Sequence, residues 1–139
     1  MFGALDISTS ALVAQRTRMD AIAGNVANAS TPAAPDGQAG PYQRRVVIFA
    51  PGNPAAGRGA PGVHVAGVVK DSSPPTMRYE PGHPLAAEQG KWKGYVAYPN
   101  VDLSIEMINA LEAARAYEAN VTVMGVTKGM ISSALRLLA

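Results

Sequence analysis

Residues 103–138 read LSIEMINALEAARAYEANVTVMGVTKGMISSALRLL, and their spacing decides the fold. Leu103, Met107, Ala110, Ala114, Tyr117, Val121, Met124, Lys128, Ile131, Leu135 and Leu138 follow an unbroken 4-3 rhythm, with Lys128 the one polar member. A stripe that repeats every 3.5 residues on average stays on one side of a helix only if that helix winds left-handedly around a partner. At about 1.5 Å per residue the segment makes a rod of roughly 54 Å, longer than a compact domain of this size is wide. Acidic Asp102, Glu106, Glu112 and Glu118 lie toward its start, and Lys128 and Arg136 toward its end, the polarity that favours the helix dipole. Asn100 or Asp102, just after Pro99, supplies an N-cap.

The partner lies at the other end of the chain. Leu5, Leu12, Met19 and Val26 recur at sevens, with Ser8, Gln15, Ile22 and Ala29 between them. This weaker version of the pattern predicts a helix from about Asp6 or Ser8 to about Asn28, helped by Arg16 and Asp20 at i, i+4 and stopped by Ser30-Thr31-Pro32. All eleven prolines fall between Pro32 and Pro99, together with ten of the fourteen glycines, so the middle is irregular while the ends are uninterrupted. Within it, 42–49 and 63–70 are rich in β-branched residues and read as strands. Shorter extended pieces follow at 76–80 and 95–98, with Pro81-Gly82 as the turn between them. Residues 32–41 and 50–62 read as loops. The predicted class is α+β: long N- and C-terminal helices in an antiparallel, coiled-coil-like pair, with a small irregular β-rich middle. Its three segments are 1–31, 32–99 and 100–139.

Composition narrows the chemistry. A chain of 139 residues fits one small domain or one elongated subunit, which excludes a large multidomain enzyme. With no cysteine there is no disulfide, thiolate zinc site or cysteine nucleophile. The net charge is only +2 and Arg44-Arg45 is the sole adjacent basic pair, so nucleic acid is not the natural partner. No charged start precedes an apolar stretch, since the first basic residue is Arg16, and no apolar run reaches the roughly 18 residues that span a membrane. The expectation is a protein without a cleaved signal and without a membrane span.

Sites of reaction are equally hard to find. Gly52 to Gly59 is glycine-rich but lacks the Lys-Ser/Thr of a phosphate loop. His64 and His83 each lack the second histidine that a helical metal site uses, and Ser72-Ser73 has no glycine-flanked elbow. Asp71, Glu80 and Glu88 raise the possibility of a wall-cleaving enzyme, but their spacing makes no acid and base pair. Neither a cofactor nor a metal is expected. Gly125 and Gly129 form G-x-x-x-G, either a place for a neighbouring backbone to approach or a locally weak turn. The other side of the last helix is apolar too, through Ile105, Ile108, Leu111, Val123 and Val126, so one partner helix leaves much of it uncovered. Repeated contact between similar subunits gives an open helical tube.

Read in order, LDISTSALVAQRTRMDAIAGNVANASTP, GPYQRRVVIF, YEPGHPLA, GYVAYPNVDLSIEM and ARAYEANVTVM resemble the bacterial flagellar axial rod and hook proteins, and within them the FlgC family of basal-body rod proteins. The first block, with Asn25-Val26-Ala27-Asn28 and Thr31, is shared across rod and hook proteins, whereas YPNVD and RAYEAN point to the FlgC family. Lys91-Trp92-Lys93 before Gly94 and the Pro/Ala-rich loop after Thr31 depart from its pattern.

The resemblance implies a non-enzymatic structural subunit of the proximal rod, crossing the periplasm in the flagellar basal body. It implies passage through the flagellar type III export apparatus without signal cleavage, and helical packing with copies of itself, FlgB, FlgF, FlgG and FliE. It further implies that 1–31 and 100–139 are the helices of the rod core, which line the tube and serve motility by transmitting torque. Carried onto this sequence, Asn25, Asn28 and Thr31 hold the end of the first helix and its neighbour contacts. Arg115, Tyr117, Glu118 and Asn120 make polar contacts in the tube. The predicted subunit interface adds Leu5, Leu12, Met19, Val26, Leu103, Met107, Val121, Met124, Gly125, Gly129, Ile131 and Leu135. The alternatives are a free-standing two-helix protein-binding module and another axial rod or hook paralogue.

Overall fold

The computed structural model describes residues 2–35, 40–52 and 61–138. Helix α1 (Phe2–Asn28) leads into strands β1 (Arg45–Pro51), β2 (Val63–Lys70), β3 (Thr76–Tyr79) and β4 (Tyr95–Tyr98), and the chain closes with helix α2 (Leu103–Leu138). The predicted glycine-rich loop falls mostly outside the described residues. The α+β class, with two long terminal helices around two small antiparallel sheets, is as the spacing predicts.

Helix α2 begins where the sequence places a cap, and Asp102 is that cap rather than Asn100. Its carboxylate accepts from the N–H groups of Ser104 at 2.8 Å and Ile105 at 3.3 Å, while its carbonyl accepts from Glu106 N–H at 3.0 Å. Two otherwise orphaned donors of the first turn are thereby satisfied. Asp102→Ala is expected to lower stability by about 1 kcal/mol, read as a shifted urea midpoint with an unchanged slope.

Helix α1 starts earlier than predicted, at Phe2, and its first turn carries no acidic residue. Asp6 and Ser8 are thus interior, and Ser8 is buried instead of capping. The predicted Arg16–Asp20 support is absent; α1 is tied to α2 instead, by Arg18 Nη2 to Glu112 Oε2 at 2.8 Å. Glu112 is 69% exposed, and pairs with so solvated a partner contribute less than about 1 kcal/mol.

β1 and β2 form an antiparallel hairpin lying against α1, in register from Arg45 opposite Lys70 to Pro51 opposite Val63. The register slips at Ile48/Phe49, where Ile48 faces Gly67 and Phe49 faces Val65. Ala66 is the extra residue of this bulge, and it bends the hairpin. Ser10 helps dock it, accepting from Val63 N–H at 3.1 Å. The first strand starts three residues later than predicted because Tyr42 and Arg44 are engaged elsewhere, as described below.

β3 and β4 pair from Thr76–Tyr98 to Tyr79–Tyr95. Pro81-Gly82 does form a turn, with His83 N–H donating to Glu80 O at 3.0 Å, but it does not join the strands directly. The connection runs on to Gly94, through Trp92, whose ring meets Tyr95 edge-on at 5.7 Å. Lys91 Nζ lies 5.2 Å from the centre of the Trp92 ring, so of the three-residue departure Trp92 touches the sheet and Lys91 rests on Trp92. Ala33, just beyond α1, exchanges two backbone bonds with Ala97 and leaves Val96 and Ala97 fully covered.

Gly94 sits at the close of this loop with φ +78°, and a Cβ there would lie 2.8 Å from Tyr79 Cε2. Gly94→Ala is expected to cost about 1–2 kcal/mol for the left-handed backbone alone. It should also weaken the tyrosine near-ultraviolet circular dichroism as Tyr79 is pushed off Tyr95.

The apolar core is thin. Among the described residues, the buried apolar side chains are Ala14, Ile22, Ala87, Val96, Ala97 and Ala113, and the buried polar ones Ser8, Asn25 and Glu106. Met107, Ile108, Leu111, Met130 and Leu135, all on α2, are 60–65% exposed.

Candidate functional site: the helix seam and its polar knot

The side of α2 that faces α1 is turned relative to the predicted stripe. Glu106 and Ala113 are completely buried; Ala110, Tyr117, Asn120, Met124, Thr127, Ile131 and Ala134 are partly covered. This run is again a 4-3 series, and it shares Ala110, Tyr117, Met124 and Ile131 with the predicted one. Of the remaining predicted members, Leu103, Met107, Val121, Lys128 and Leu135 are exposed and Ala114 is partly covered.

A set of polar side chains gathers where the last turns of α1, the first turn of α2 and the entry to β1 meet. Asn25, fully buried, uses its whole hydrogen-bonding capacity. Its Nδ2 donates to Arg45 O at 2.9 Å and to Glu106 Oε2 at 2.9 Å. Its Oδ1 accepts from Arg45 N–H at 2.8 Å and from the Tyr42 hydroxyl at 3.0 Å. Glu106, also fully buried, receives Arg44 on its other oxygen, Nε at 2.8 Å and Nη2 at 2.7 Å. Arg44 in turn reaches Asp71 at 3.9 Å, and Asp71 N–H donates to Arg44 O at 2.7 Å, extending the ladder beyond the strand ends. A buried charge must be paired and hydrogen-bonded to be tolerated, and here it is.

The donors and acceptors of the knot are spent on one another, which makes it a fastener joining three elements. Asp71 sits at its edge, where the Ser73 hydroxyl and N–H, and more weakly Arg44, hold its carboxyl below the usual carboxylate range. A carboxyl depressed in the folded state stabilises the fold above its ordinary titration range and ceases to as pH falls through the folded value. Stability is thus expected to drop on acidification below that range, and Asp71→Asn should flatten the drop in a series of urea melts. On the second sheet, Tyr98 donates to Glu80 Oε2 at 3.0 Å, which raises the phenol above its ordinary value. The Asp71 and Glu80 carboxylates therefore have separate partners, and Glu88 is exposed.

The other predicted residues fall into three groups. Leu5, Leu12 and Met19 of α1 and Tyr117, Met124 and Ile131 of α2 are partly covered within the chain, whereas Val26 is 39% exposed. Asn28 donates back to Gly24 O at 2.8 Å, Asn120 back to Ala116 O at 2.8 Å, and Thr31 N–H closes onto Asn28 O at 3.1 Å; none of these reaches another element. Arg115, Glu118, Gly125 and Gly129 are exposed. A Cβ at either glycine would meet nothing within 4 Å, so among the described residues no backbone makes the close approach that G-x-x-x-G permits.

Sequence reasoning placed Asn25 in the site but missed Tyr42, Arg44 and Glu106. The available signal was Glu106 itself, a lone carboxylate between Ile105 and Met107. Among the described residues no cluster of His, Asp and Glu is arranged to hold a metal, and no helix is long and apolar enough to cross a membrane.

The helix pair assembled from the two terminal segments leaves many large apolar side chains of α2 exposed, as in a subunit that packs against neighbours. The family described as flagella basal body rod protein matches residues 5–34, and that described as flagellar basal body rod FlgEFG protein C-terminal matches 93–137. Across nearly its whole length the chain is similar to flagellar basal-body rod proteins FlgC. It is 44% identical to that of Borreliella burgdorferi, covering 99% of this chain and 97% of the relative. It is 45% identical to that of Escherichia coli O157:H7, covering 95% and 93%, and 38% identical to that of Bacillus subtilis, covering 98% and 97%. The chain belongs to the FlgC family, the structural rod subunits of the flagellar basal body.

Proposed function

We propose that α1 and α2, with the residues flanking them (1–31 and 100–139), are this chain's share of a tubular rod core that transmits torque and encloses the export channel. The middle region, 32–99, faces outward or braces adjacent subunits. The observation that carries this reading is the apolar surface α2 leaves uncovered on several sides, from Leu103 and Met107 to Val126 and Leu135. A soluble monomer rarely keeps such a surface, and a helix in a tube needs it.

The interface consists of Leu5, Leu12, Met19 and Val26 on α1. On α2 it runs from Leu103 and Met107 through Tyr117, Val121, Met124 and Ile131 to Leu135. Gly125 and Gly129 admit a neighbouring helix closely. Asn25, Asn28 and Thr31 hold the end of α1, and Arg115, Glu118 and Asn120 make polar contacts between subunits.

The neighbours are copies of this chain, the related rod proteins FlgB, FlgF and FlgG, and FliE at the base. The subunit passes through the flagellar type III export apparatus without signal cleavage and acts in the periplasm, without catalysing a reaction. A clean deletion of the gene is expected to abolish swimming and to leave basal bodies without a completed rod or hook, both restored by the gene in trans. Normal swimming in the deletion strain would overturn the proposal.

A further inference from the structure

Helix α2 carries two overlapping 4-3 seams that share Ala110, Tyr117, Met124 and Ile131. One continues through Leu103, Met107, Ala114, Val121, Lys128, Leu135 and Leu138, apolar but for Lys128; the other through Glu106, Ala113, Asn120, Thr127 and Ala134. With 100° between successive residues, the two differ by a roll of about 50° about the helix axis. Apolar burial on its own favours the first seam against α1, since Leu, Met and Val side chains bury more surface than Ala, Asn and Thr. The chain uses the second, leaving Met107 65% and Leu135 61% exposed while Ala113 is fully covered.

We infer that the knot of Asn25, Arg44 and Glu106 is a seam selector: it pins α2 at its first turn so that the weaker seam meets α1 and the more apolar one is held outward. Three observations support this. Glu106 belongs to the second seam, so rolling α2 onto the first would pull its carboxylate off both Asn25 and Arg44 and leave charges unpaired at a buried corner. Asn25 is saturated by four partners drawn from α2 and the strand entry, so no alternative position of Glu106 replaces the lost bond without another loss. Beyond the knot the members that belong to the used seam alone, Ala113, Asn120, Thr127 and Ala134, are small or polar and offer little apolar reason to prefer it. A buried polar contact that fixes register against a more apolar alternative is the best-attested use of such groups. The consequence for assembly rests on the rod proposal; the roll itself does not.

The absence of native cysteine allows a direct test. Met107→Cys and Ala113→Cys, each alone, report the two seams through their rates of reaction with a maleimide. In the parent chain Met107→Cys is expected to react at least tenfold faster than Ala113→Cys. In the Asn25→Leu/Glu106→Leu background, with helical circular dichroism retained, the order should reverse. An unchanged order would overturn the inference, because the seam would then be chosen without the knot. Rapid labelling of both thiols with loss of helix would overturn it too, making the knot a plain stabilising element.

Glu106→Gln, which keeps the shape but removes the charge, supplies a milder reading. Its Met107→Cys to Ala113→Cys rate ratio should fall at least threefold. A parental ratio in a merely less stable protein would contradict the selector. Because these are monomer measurements, swimming defects that bear on the rod proposal leave their outcome untouched.

Discussion

Replacing Arg44 with Met is expected to destabilise the isolated protein by about 3 kcal/mol, the lower end of what stripping one partner from a buried ion pair costs. Glu106 is 1% exposed and keeps only Asn25 once the guanidinium is gone. The lower end applies because Arg44 is itself 25% exposed, so water can reach the gap it leaves. The effect should exceed that of Arg18→Ala several-fold, although both arginines make one short ion pair to α2, since Glu112 is 69% exposed and is readily solvated. Urea melts of the two variants side by side are the measurement. Equal destabilisation would mean that burial of Glu106 is not what gives the knot its weight.

The second large effect is on assembly instead of folding. Val121→Asp together with Leu135→Asp places two charges on the outward seam, at side chains 48% and 61% exposed in the single chain. Exposed positions away from caps and networks usually change stability by less than about 0.5 kcal/mol each, so the melt should hardly move. In the rod, the same carboxylates would face a neighbouring helix, where an unpaired buried charge is not tolerated. The expected outcome is a stable, exported protein with no swimming and no hook. Swimming at the parental rate would show that this face is not covered in the rod.

These two experiments separate what could be read along the chain from what could not. Local signals carried the helix limits of α2: Pro99 excludes an earlier start, Asp102 caps, and the rhythm runs unbroken to Leu138. The β2 and β4 limits, at Val63–Lys70 and Tyr95–Tyr98, were equally plain, the first from a valine-rich run that opens after Gly62 and the second from a short aromatic stretch closed in by Gly94 and Pro99. The rotation of α2 was not legible, since the 4-3 pattern points to the more apolar seam and the chain turns the other one toward α1. The choice depends on Glu106 meeting residues 62 and 81 positions away in sequence, which no local pattern encodes. The late start of β1 has the same cause: Tyr42 resembles a strand residue, but its hydroxyl is committed to Asn25.

The thin core has a structural counterpart in length. At about 1.5 Å per residue, α1 with 27 residues spans roughly 40 Å and α2 with 36 spans roughly 54 Å. The pairs Arg18–Glu112 and Asn25–Glu106 set their antiparallel register, which carries roughly the last three turns of α2 past the first residue of α1. Those turns include Leu137, 89% exposed, and have little in the chain to rest on. An isolated helix that short is marginal in water, so its order is expected to come from neighbours.

Peptide-resolved amide hydrogen exchange, on the isolated protein at low concentration and on purified basal bodies, tests the central claim that assembly completes this fold. The account predicts that peptides around the knot, near 20–30 and 102–113, are protected in both samples. Peptides from 121–138 should exchange rapidly in the isolated chain and slow by at least a hundredfold in the basal body. Strong protection of 121–138 already in the isolated chain, with no further slowing on assembly, would contradict it.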